Sequence, residues 1–197
     1  NINNFINVFR QGARPNRFRV DLIDFPSGIE LPKAISDKGN FYFYCKAASL
    51  PDVSVGVVEV PFMGRKFKVH GDRTFNEWTI TVFNEEGNGT RRFFENWMHN
   101  INRHISNIRT LPLNKKYEKN NPVASESYYG TFKVTQLRVD GYTDKLNQEY
   151  FFYYTFPSAI SAIDLAFDTN DSVEEFTVTL QYSYWFNADQ ANSISGG

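Results

Sequence analysis

The chain is 197 residues long, which is enough for one domain with a sizeable core and too short for two full domains. Aromatic residues make up 17% of it, including 19 Phe and 11 Tyr, and this bulky, β-favouring composition predicts a mainly β fold. Because 21 Lys and Arg nearly balance 22 Asp and Glu, the composition argues against tight, sequence-independent binding to a nucleic-acid backbone.

The first segment, residues 1–15, is predicted to form an N-terminal arm. Its apolar residues recur at helical spacing, which indicates a short amphipathic turn packed on this subunit or on a neighbour: Ile2, Phe5, Ile6 and Phe9. From Asn16 the pattern becomes strict alternation, which predicts the first strand with Phe18, Val20 and Leu22 on one face. No stretch approaches the roughly 18 apolar residues of a membrane span, so we expect no membrane insertion.

A projecting hairpin is predicted between two further strands in the middle of the chain. Residues 41–48 are predicted to form the second strand. Residues 56–61 and 66–69 are predicted to form the hairpin strands, joined by a turn at residues 62–65. The next strand is predicted over residues 74–84, with bulky side chains on both of its faces.

One strong helix is predicted over residues 91–104, with Thr90 as its N-cap. Its apolar residues follow the i, i+3, i+4, i+7 spacing of a single helix face: Phe94, Trp97, Met98, Ile101 and Ile105. This stripe predicts that the helix covers one end of a sheet.

The C-terminal half is predicted to return to strands after a polar loop. Residues 106–127 have no hydrophobic period and are interpreted as a loop excursion. Strands are predicted at about 130–140, 149–156 and 173–186. The tail, residues 188–197, is small and polar enough to be flexible unless a partner captures it. We therefore predict a single domain over residues 1–197.

No pattern typical of an enzyme, a metal site or a cofactor site is found in the sequence. His99 and His104 would lie about 140° apart on a helix, which does not suit joint metal ligation. Cys45 is the one cysteine and lies in an apolar run, where it acts as a small hydrophobic residue. The acidic cluster is interpreted as a solvated turn before a strand: Asp164, Asp168, Asp171, Glu174 and Glu175.

The hairpin region mixes cations with aromatic residues: Arg65, Lys66, Lys68 and Arg73 with Phe62, Phe67 and Phe75. Such mixtures occur on surfaces that bind nucleic acids. Because Glu59, Asp72 and Glu77 lie among them, a protein–protein contact that uses both signs of charge fits better. A solvated hairpin and a nucleic-acid surface are the alternatives.

A series of short motifs occurs in a fixed order along most of the chain. It begins with Ala13-Arg14-Pro15-Asn16, Cys45-Lys46-Ala47 and Leu50-Pro51. It is densest at Phe62-Met63-Gly64-Arg65-Lys66, Gly71-Asp72-Arg73-Thr74-Phe75 and Trp78-Thr79-Ile80-Thr81-Val82. It resumes with Phe156-Pro157-Ser158, Ile163-Asp164-Leu165 and Glu175-Phe176-Thr177-Val178-Thr179-Leu180. In this order the motifs resemble the tail tube proteins of T4-like contractile-tailed bacteriophages.

The resemblance implies a β-sandwich or barrel of antiparallel strands with one flanking α-helix, assembled as a hexameric ring. It further implies that rings stack into a hollow tube inside a contractile sheath, through which DNA passes without specific binding and without catalysis. The implied partners are other copies of the chain, the sheath protein, and baseplate and tube-terminator proteins. The implied location is the phage tail in the virion, with assembly in the host cytoplasm.

Two kinds of alternative function are open. Within the resemblance, the chain could be a tube-initiating baseplate protein or the tube of a related contractile injection particle. From a different class, it could be a monomeric β-sandwich module that binds carbohydrate or single-stranded DNA. For a tube subunit, we expect the hairpin to lie against the next ring, with contacts from Phe62, Met63, Gly64, Arg65, Lys66, Phe67 and Arg73.

Overall fold

The computed structural model describes residues 2, 14–26, 29, 32, 41, 44–103, 128–137, 148–166 and 172–188. In chain order, this described part contains β1 (Phe18–Asp24), β2 (Cys45–Ala48), β3 (Ser54–Phe62), β4 (Arg65–Thr74), β5 (Trp78–Phe83), α1 (Gly89–Ile101), β6 (Gly130–Gln136), β7 (Gln148–Ile160), β8 (Glu175–Gln181) and β9 (Tyr184–Asn187). Nearly all of the predicted 1–15 arm, the 106–127 loop and the 188–197 tail lies outside the described residues.

Two antiparallel sheets share the long strand β7. Its first half pairs with β6 on one side and with β9 on the other, and β1 continues this sheet beyond β6. Its second half pairs with β8, followed by β5 and β2. Between the halves, Tyr154 has a left-handed φ of 53°, a local distortion that accompanies the change of sheet. The prediction of antiparallel strands with one flanking helix is confirmed.

The core lies between the two sheets. Alternate residues of β1, β5, β6, β7 and β8 point inward, as strand geometry requires, and are at most 1% exposed: Val20, Leu22, Trp78, Ile80, Val82, Phe132, Val134, Phe152, Phe176, Val178 and Leu180. The face that Phe18, Val20 and Leu22 of β1 were predicted to share is therefore confirmed, and it is the face that packs on the core.

Helix α1 covers one end of the sandwich through its aromatic side chains. Trp97 stacks on Phe132 with centroids 6.2 Å apart, and its Nε1 donates a hydrogen bond to the Tyr128 carbonyl at 2.8 Å. Phe94 meets Phe176 edge-on at 6.3 Å. The helix also buries Phe93, which lies beside Phe94 on the same stripe.

The helix begins earlier than predicted, and Thr90 is not its N-cap. The capping position is Asn88, whose φ is 52° and whose side chain makes no capping hydrogen bond. Thr90 lies in the first turn and is buried, because it is one helical turn before Phe93 and Phe94 on the face that packs on the core. Of the predicted helix residues, His104 and Ile105 lie outside the described part of the chain.

Most of the predicted strands have different limits in the structure; β7, for example, continues to Ile160, four residues beyond the predicted end at 156. The 173–186 segment is two strands, because β8 follows the second half of β7 whereas β9 follows its first half in the other sheet. The 74–84 segment is also divided: Thr74 ends β4, and β5 begins at Trp78. In the 41–48 segment, only Cys45–Ala48 is a described strand.

Candidate inter-subunit interface

Strands β3 and β4 form a two-stranded sheet of their own, separate from the sandwich. The predicted hairpin is confirmed and is longer than expected, since pairing extends from Phe62 and Arg65 at the tip to Ser54 and Thr74 at the base. Apart from half-buried Gly71, every residue of both strands is exposed. An isolated two-stranded hairpin is marginally stable in water, so this arrangement indicates a stabilising partner.

The hairpin turn contains two residues, Met63 and Gly64, instead of the predicted four. Phe62 and Arg65 already face each other as the last strand pair. Met63 has a φ of 45° and Gly64 a φ of 78°, the left-handed pattern of a type I′ turn. Glycine adopts this conformation freely, whereas the Cβ of Met63 makes it unfavourable. The side chain of Met63 is 89% exposed, so little burial offsets that cost.

The register divides the hairpin into two chemically different faces. Residues directly opposite each other share a face in an antiparallel pair. The pairs Val58–Val69 and Val60–Phe67, together with Phe62, form what we call the apolar face. The opposite, polar face carries the alternate residues: Val57, Glu59, Pro61, Lys66, Lys68 and His70. On it, Lys66 Nζ donates to Glu59 Oε2 at 2.7 Å.

The apolar face is open to solvent in the single chain. Phe62 is 68% exposed and Phe67 is 67% exposed, and the three valines are also exposed. Burying a Val or Phe side chain stabilises a protein by about 1.5–3 kcal/mol. A partner that covered all five residues would therefore gain a large free energy of burial that the isolated chain does not have. Contiguous apolar patches of this kind mark interaction sites.

The predicted contact residues are only partly brought together. Phe62, Met63, Gly64, Arg65, Lys66 and Phe67 surround the tip. Arg73 pairs with Val55 at the base, roughly 26 Å along the strand from Arg65. Between them the register shifts at Gly71, where an added Cβ would lie 3.1 Å from the Gly56 carbonyl group. Sequence reasoning missed Val58, Val60 and Val69, although their alternation within the two strands was readable.

A second cluster of partly exposed aromatic residues lies on the outer side of β7 and β9. Tyr153 stacks on Tyr184 at 5.4 Å and on Phe186 at 5.0 Å. Burial raises the pKa of the Tyr153 and Tyr184 phenols, so both stay neutral at physiological pH. A single strand over residues 173–186, as predicted, would put Tyr184 and Phe186 on the same face as the buried residues of β8. The break after β8 reverses the alternation, so Trp185 points inward instead and packs against the core.

The rest of the described chain offers little reactive chemistry. Within the described ranges there is no group of three or more His, Cys, Asp or Glu side chains that could hold a metal ion. None of the described helices is long and apolar enough to cross a membrane. Burial raises the pKa of the Cys45 thiol to about 12, and its Sγ lies 3.5 Å from the Ala47 carbonyl oxygen, which accepts its weak hydrogen bond.

Comparison with known proteins identifies the family. The family model for phage tail tube proteins matches residues 13–188. The tail tube protein gp19 of Enterobacteria phage T4 is 32% identical over 174 residues, which cover 88% of this chain and 90% of that protein. The chain belongs to the phage tail tube protein family. The resemblance in the ordered motifs is thereby confirmed, and the chain is a structural component of a phage tail tube.

Solved structures of contractile injection particles contain chains with the same fold as this tail tube protein. A cryo-EM structure of the anti-feeding prophage baseplate contains a chain that superposes with a TM-score of 0.58 at 10% identity, covering 90% of this chain and 95% of that one. The sheath–tube complex of an extracellular contractile injection system gives a TM-score of 0.53 at 14% identity, covering 93% and 95%. At these identities the likeness shows a shared fold.

Proposed function

We propose that this tail tube protein assembles as hexameric rings that stack into a hollow tube inside a contractile sheath, and that the tube conducts DNA into the host. The observation that carries the proposal is the exposed apolar face of the β3–β4 hairpin. A monomer gains nothing from five uncovered apolar residues on a projecting sheet, whereas a subunit that stacks on others buries them. The sixfold symmetry described for the related baseplate structure supports the choice of six copies.

In the stacked tube, the hairpin tip contacts the next ring. Phe62, Met63 and Phe67 supply apolar contact area, while Arg65 and the Lys66–Glu59 pair favour one register over others. Arg73 belongs to a different contact at the base of the hairpin, because it lies too far from the tip to share one patch. Each contact can be weak, because the same contact is repeated around the ring. Once one contact has formed, the others form at high effective concentration, and the overall affinity between rings rises.

The proposed partners are the sheath protein around the tube and the baseplate and terminator proteins at its ends. Assembly takes place in the host cytoplasm, and the finished subunit resides in the virion tail. The proposed role is structural and non-catalytic. The nearly balanced charge supports a conduit, because a strongly basic wall would retain DNA by releasing the counterions of its phosphates.

Negative-stain microscopy and sedimentation of the purified full chain test this proposal. We expect rings of about the same diameter that grow into hollow tubes at high protein concentration. A tube-initiating protein would give rings that do not elongate alone. Dispersed monomers at high concentration would contradict the proposal and favour the β-sandwich binding module instead.

A further inference from the structure

A groove lined by apolar residues and carboxylates lies where β5 ends and β8 begins. Its volume is about 1010 Å³, at the upper end of the roughly 300–1,000 Å³ typical of ligand pockets. Its apolar lining includes the half-buried Phe83 and Ile163 and the exposed Leu165 and Val173. Leu165 is 80% exposed and Val173 is 67% exposed, so both, like the residues of the hairpin tip, are exposed apolar side chains.

The lining of this groove, which we call the acidic groove, carries a net negative charge. An adjoining hollow shares Leu165 and Glu174 with it and is also lined by Arg91, which is paired with Glu95, and by Arg92. Lys46 and Glu175 form an ion pair and cancel each other. Asp164 and Glu174 are the other two charged residues of the lining, and both are carboxylates. Glu174 accepts a hydrogen bond from the neutral Asn84 side chain at 2.9 Å, whereas Asp164 has no ion-pair partner among the described residues. The groove is therefore an acceptor for apolar side chains accompanied by a cation.

The hairpin has the opposite charge. Between Ser54 and Thr74 it carries four Lys and Arg residues against two carboxylates, Glu59 and Asp72. Within the described part of the chain, Lys66 is paired with Glu59, whereas Arg65 has no ion-pair partner. Arg65 lies directly opposite Phe62 and next to the turn. The tip thus presents two large apolar side chains, Phe62 and Met63, beside one uncompensated cation.

We propose that the hairpin tip of one subunit inserts into the acidic groove of another copy of the chain in the adjacent ring. In this contact Phe62 and Met63 lie between Leu165 and Val173, and Arg65 meets the carboxylates of Asp164 and Glu174. The proposal rests on the proposed tube assembly and names the receiving surface for the hairpin. The donor and acceptor surfaces differ, so the contact is head-to-tail, and each subunit uses both once. Such contacts propagate along a stack.

Cysteine cross-linking between copies tests this contact directly. Met63→Cys protein is mixed with Leu165→Cys protein, allowed to assemble and mildly oxidised; Met63→Cys mixed with Thr79→Cys is the matched control. Thr79 is also exposed but does not line the groove. The native Cys45 is buried and does not compete in the folded protein. We expect a covalent dimer on a non-reducing gel from the first mixture only.

The outcomes separate this contact from the assembly itself. If the first mixture forms tubes but gives no more dimer than the control, the groove does not receive the hairpin, while the tube function stands. If the wild-type chain forms neither rings nor tubes, the tube proposal fails and this contact fails with it.

A charge exchange provides a second, independent test. Arg65→Glu and Asp164→Arg should each shorten the tubes at least twofold, because each places like charges at every contact. The double variant should recover part of the lost length, because the exchanged charges at positions 65 and 164 attract each other again while Glu174 is unchanged. The control, Arg65→Glu with Glu86→Arg, has the same net charge and should stay short. Equal lengths for the two double variants would overturn the contact.

Discussion

Trp78 of β5 lies flat against Phe152 of β7, with ring centroids 4.2 Å apart and ring planes 15° apart. The two rings come from opposite sheets, so their contact joins the sandwich across its core. Trp78 Nε1 donates a hydrogen bond to the Ser49 carbonyl at 2.8 Å, which satisfies the one polar group of the buried indole. The fold of the subunit therefore depends on this pair, whereas the exposed β3–β4 hairpin forms a separate sheet outside the core.

Phe152→Ala is expected to destabilise the subunit by about 3–5 kcal/mol, because it removes a fully buried ring and leaves a cavity against Trp78. Guanidinium unfolding of the dispersed subunit, followed by tryptophan fluorescence, measures the change. Phe67→Ala is the matched control: the same chemical deletion on the exposed hairpin should change stability by no more than about 0.5 kcal/mol. Equal losses for the two variants would show that the hairpin packs on the sandwich.

Cys45 is expected to resist thiol reagents in the folded subunit. Because its pKa is raised to about 12, its reactive thiolate is scarce at pH 8, and unfolding should accelerate labelling greatly. The same shift predicts a pH dependence. The folded state holds the proton more tightly than the unfolded state, so this stabilisation is complete below pH 9 and is lost as the pH rises towards 12. Labelling with Ellman's reagent with and without denaturant measures reactivity; rapid labelling of native protein at pH 8 would contradict the buried position.

Much of the fold was predictable because period-2 alternation and the helical stripe are local signals. They identified residues of β1 that share one face and the aromatic stripe of α1, although not which face of β5 lies in the core. They did not reveal that β7 changes sheets at Tyr154, because alternation is the same on both sides of such a change. For the same reason the break between β8 and β9 was invisible in the pattern, and the outward position of Tyr184 was missed.

The position of the candidate interface was predictable from the sequence, but the arrangement of its side chains was not. Turn residues and mixed charges located the hairpin tip, whereas the register decides which side chains share a face. Arg73 lies far from the tip because β4 is longer than the predicted strand over residues 66–69. The register shift near Gly71 changes which residues face each other at the base, and a backbone irregularity of this kind has no reliable signal in one sequence. The acidic groove joins residues from β2, β5 and the segments around β8, and only the fold brings them together.

Met63→Asn is expected to strengthen the turn and weaken the assembly. Asparagine tolerates the left-handed conformation better than methionine, so the hairpin should gain up to about 1 kcal/mol. Hydrogen exchange of the β3 and β4 amides should slow accordingly, while tubes become shorter because an apolar contact is lost. A misfolded hairpin would exchange its amide hydrogens faster, so slower exchange together with shorter tubes cannot arise from misfolding. Tubes of unchanged length would show that Met63 makes no contact between rings.

Binding to duplex DNA is expected to be weak and to disappear with salt. The whole chain carries a formal charge of −1, so its local basic patches lack a global attraction to phosphates. Fluorescence anisotropy with labelled duplex at low and physiological salt measures the affinity. A sub-micromolar dissociation constant that persists at physiological salt would contradict passage through the tube without retention.

Val60→Asp and Val57→Asp form the sharpest comparison, because both replace an exposed valine of β3 with the same charged residue. Val60 pairs with Phe67 at the centre of the apolar face, and Val57 pairs with His70 on the polar face. If the apolar face lies against another subunit, Val60→Asp removes about 1.5–3 kcal/mol of favourable burial energy from each contact. It also places a carboxylate in that contact, where removing it from water costs further free energy. Val57→Asp leaves that face intact.

We expect both variants to fold, with circular dichroism melts like that of the wild type, because neither residue belongs to the core. Microscopy should then show no tubes for Val60→Asp and normal tubes for Val57→Asp. If both variants block growth equally, the whole hairpin is enclosed by its neighbours. If Val57→Asp alone blocks growth, the polar face makes the contact, and the apolar face needs another partner.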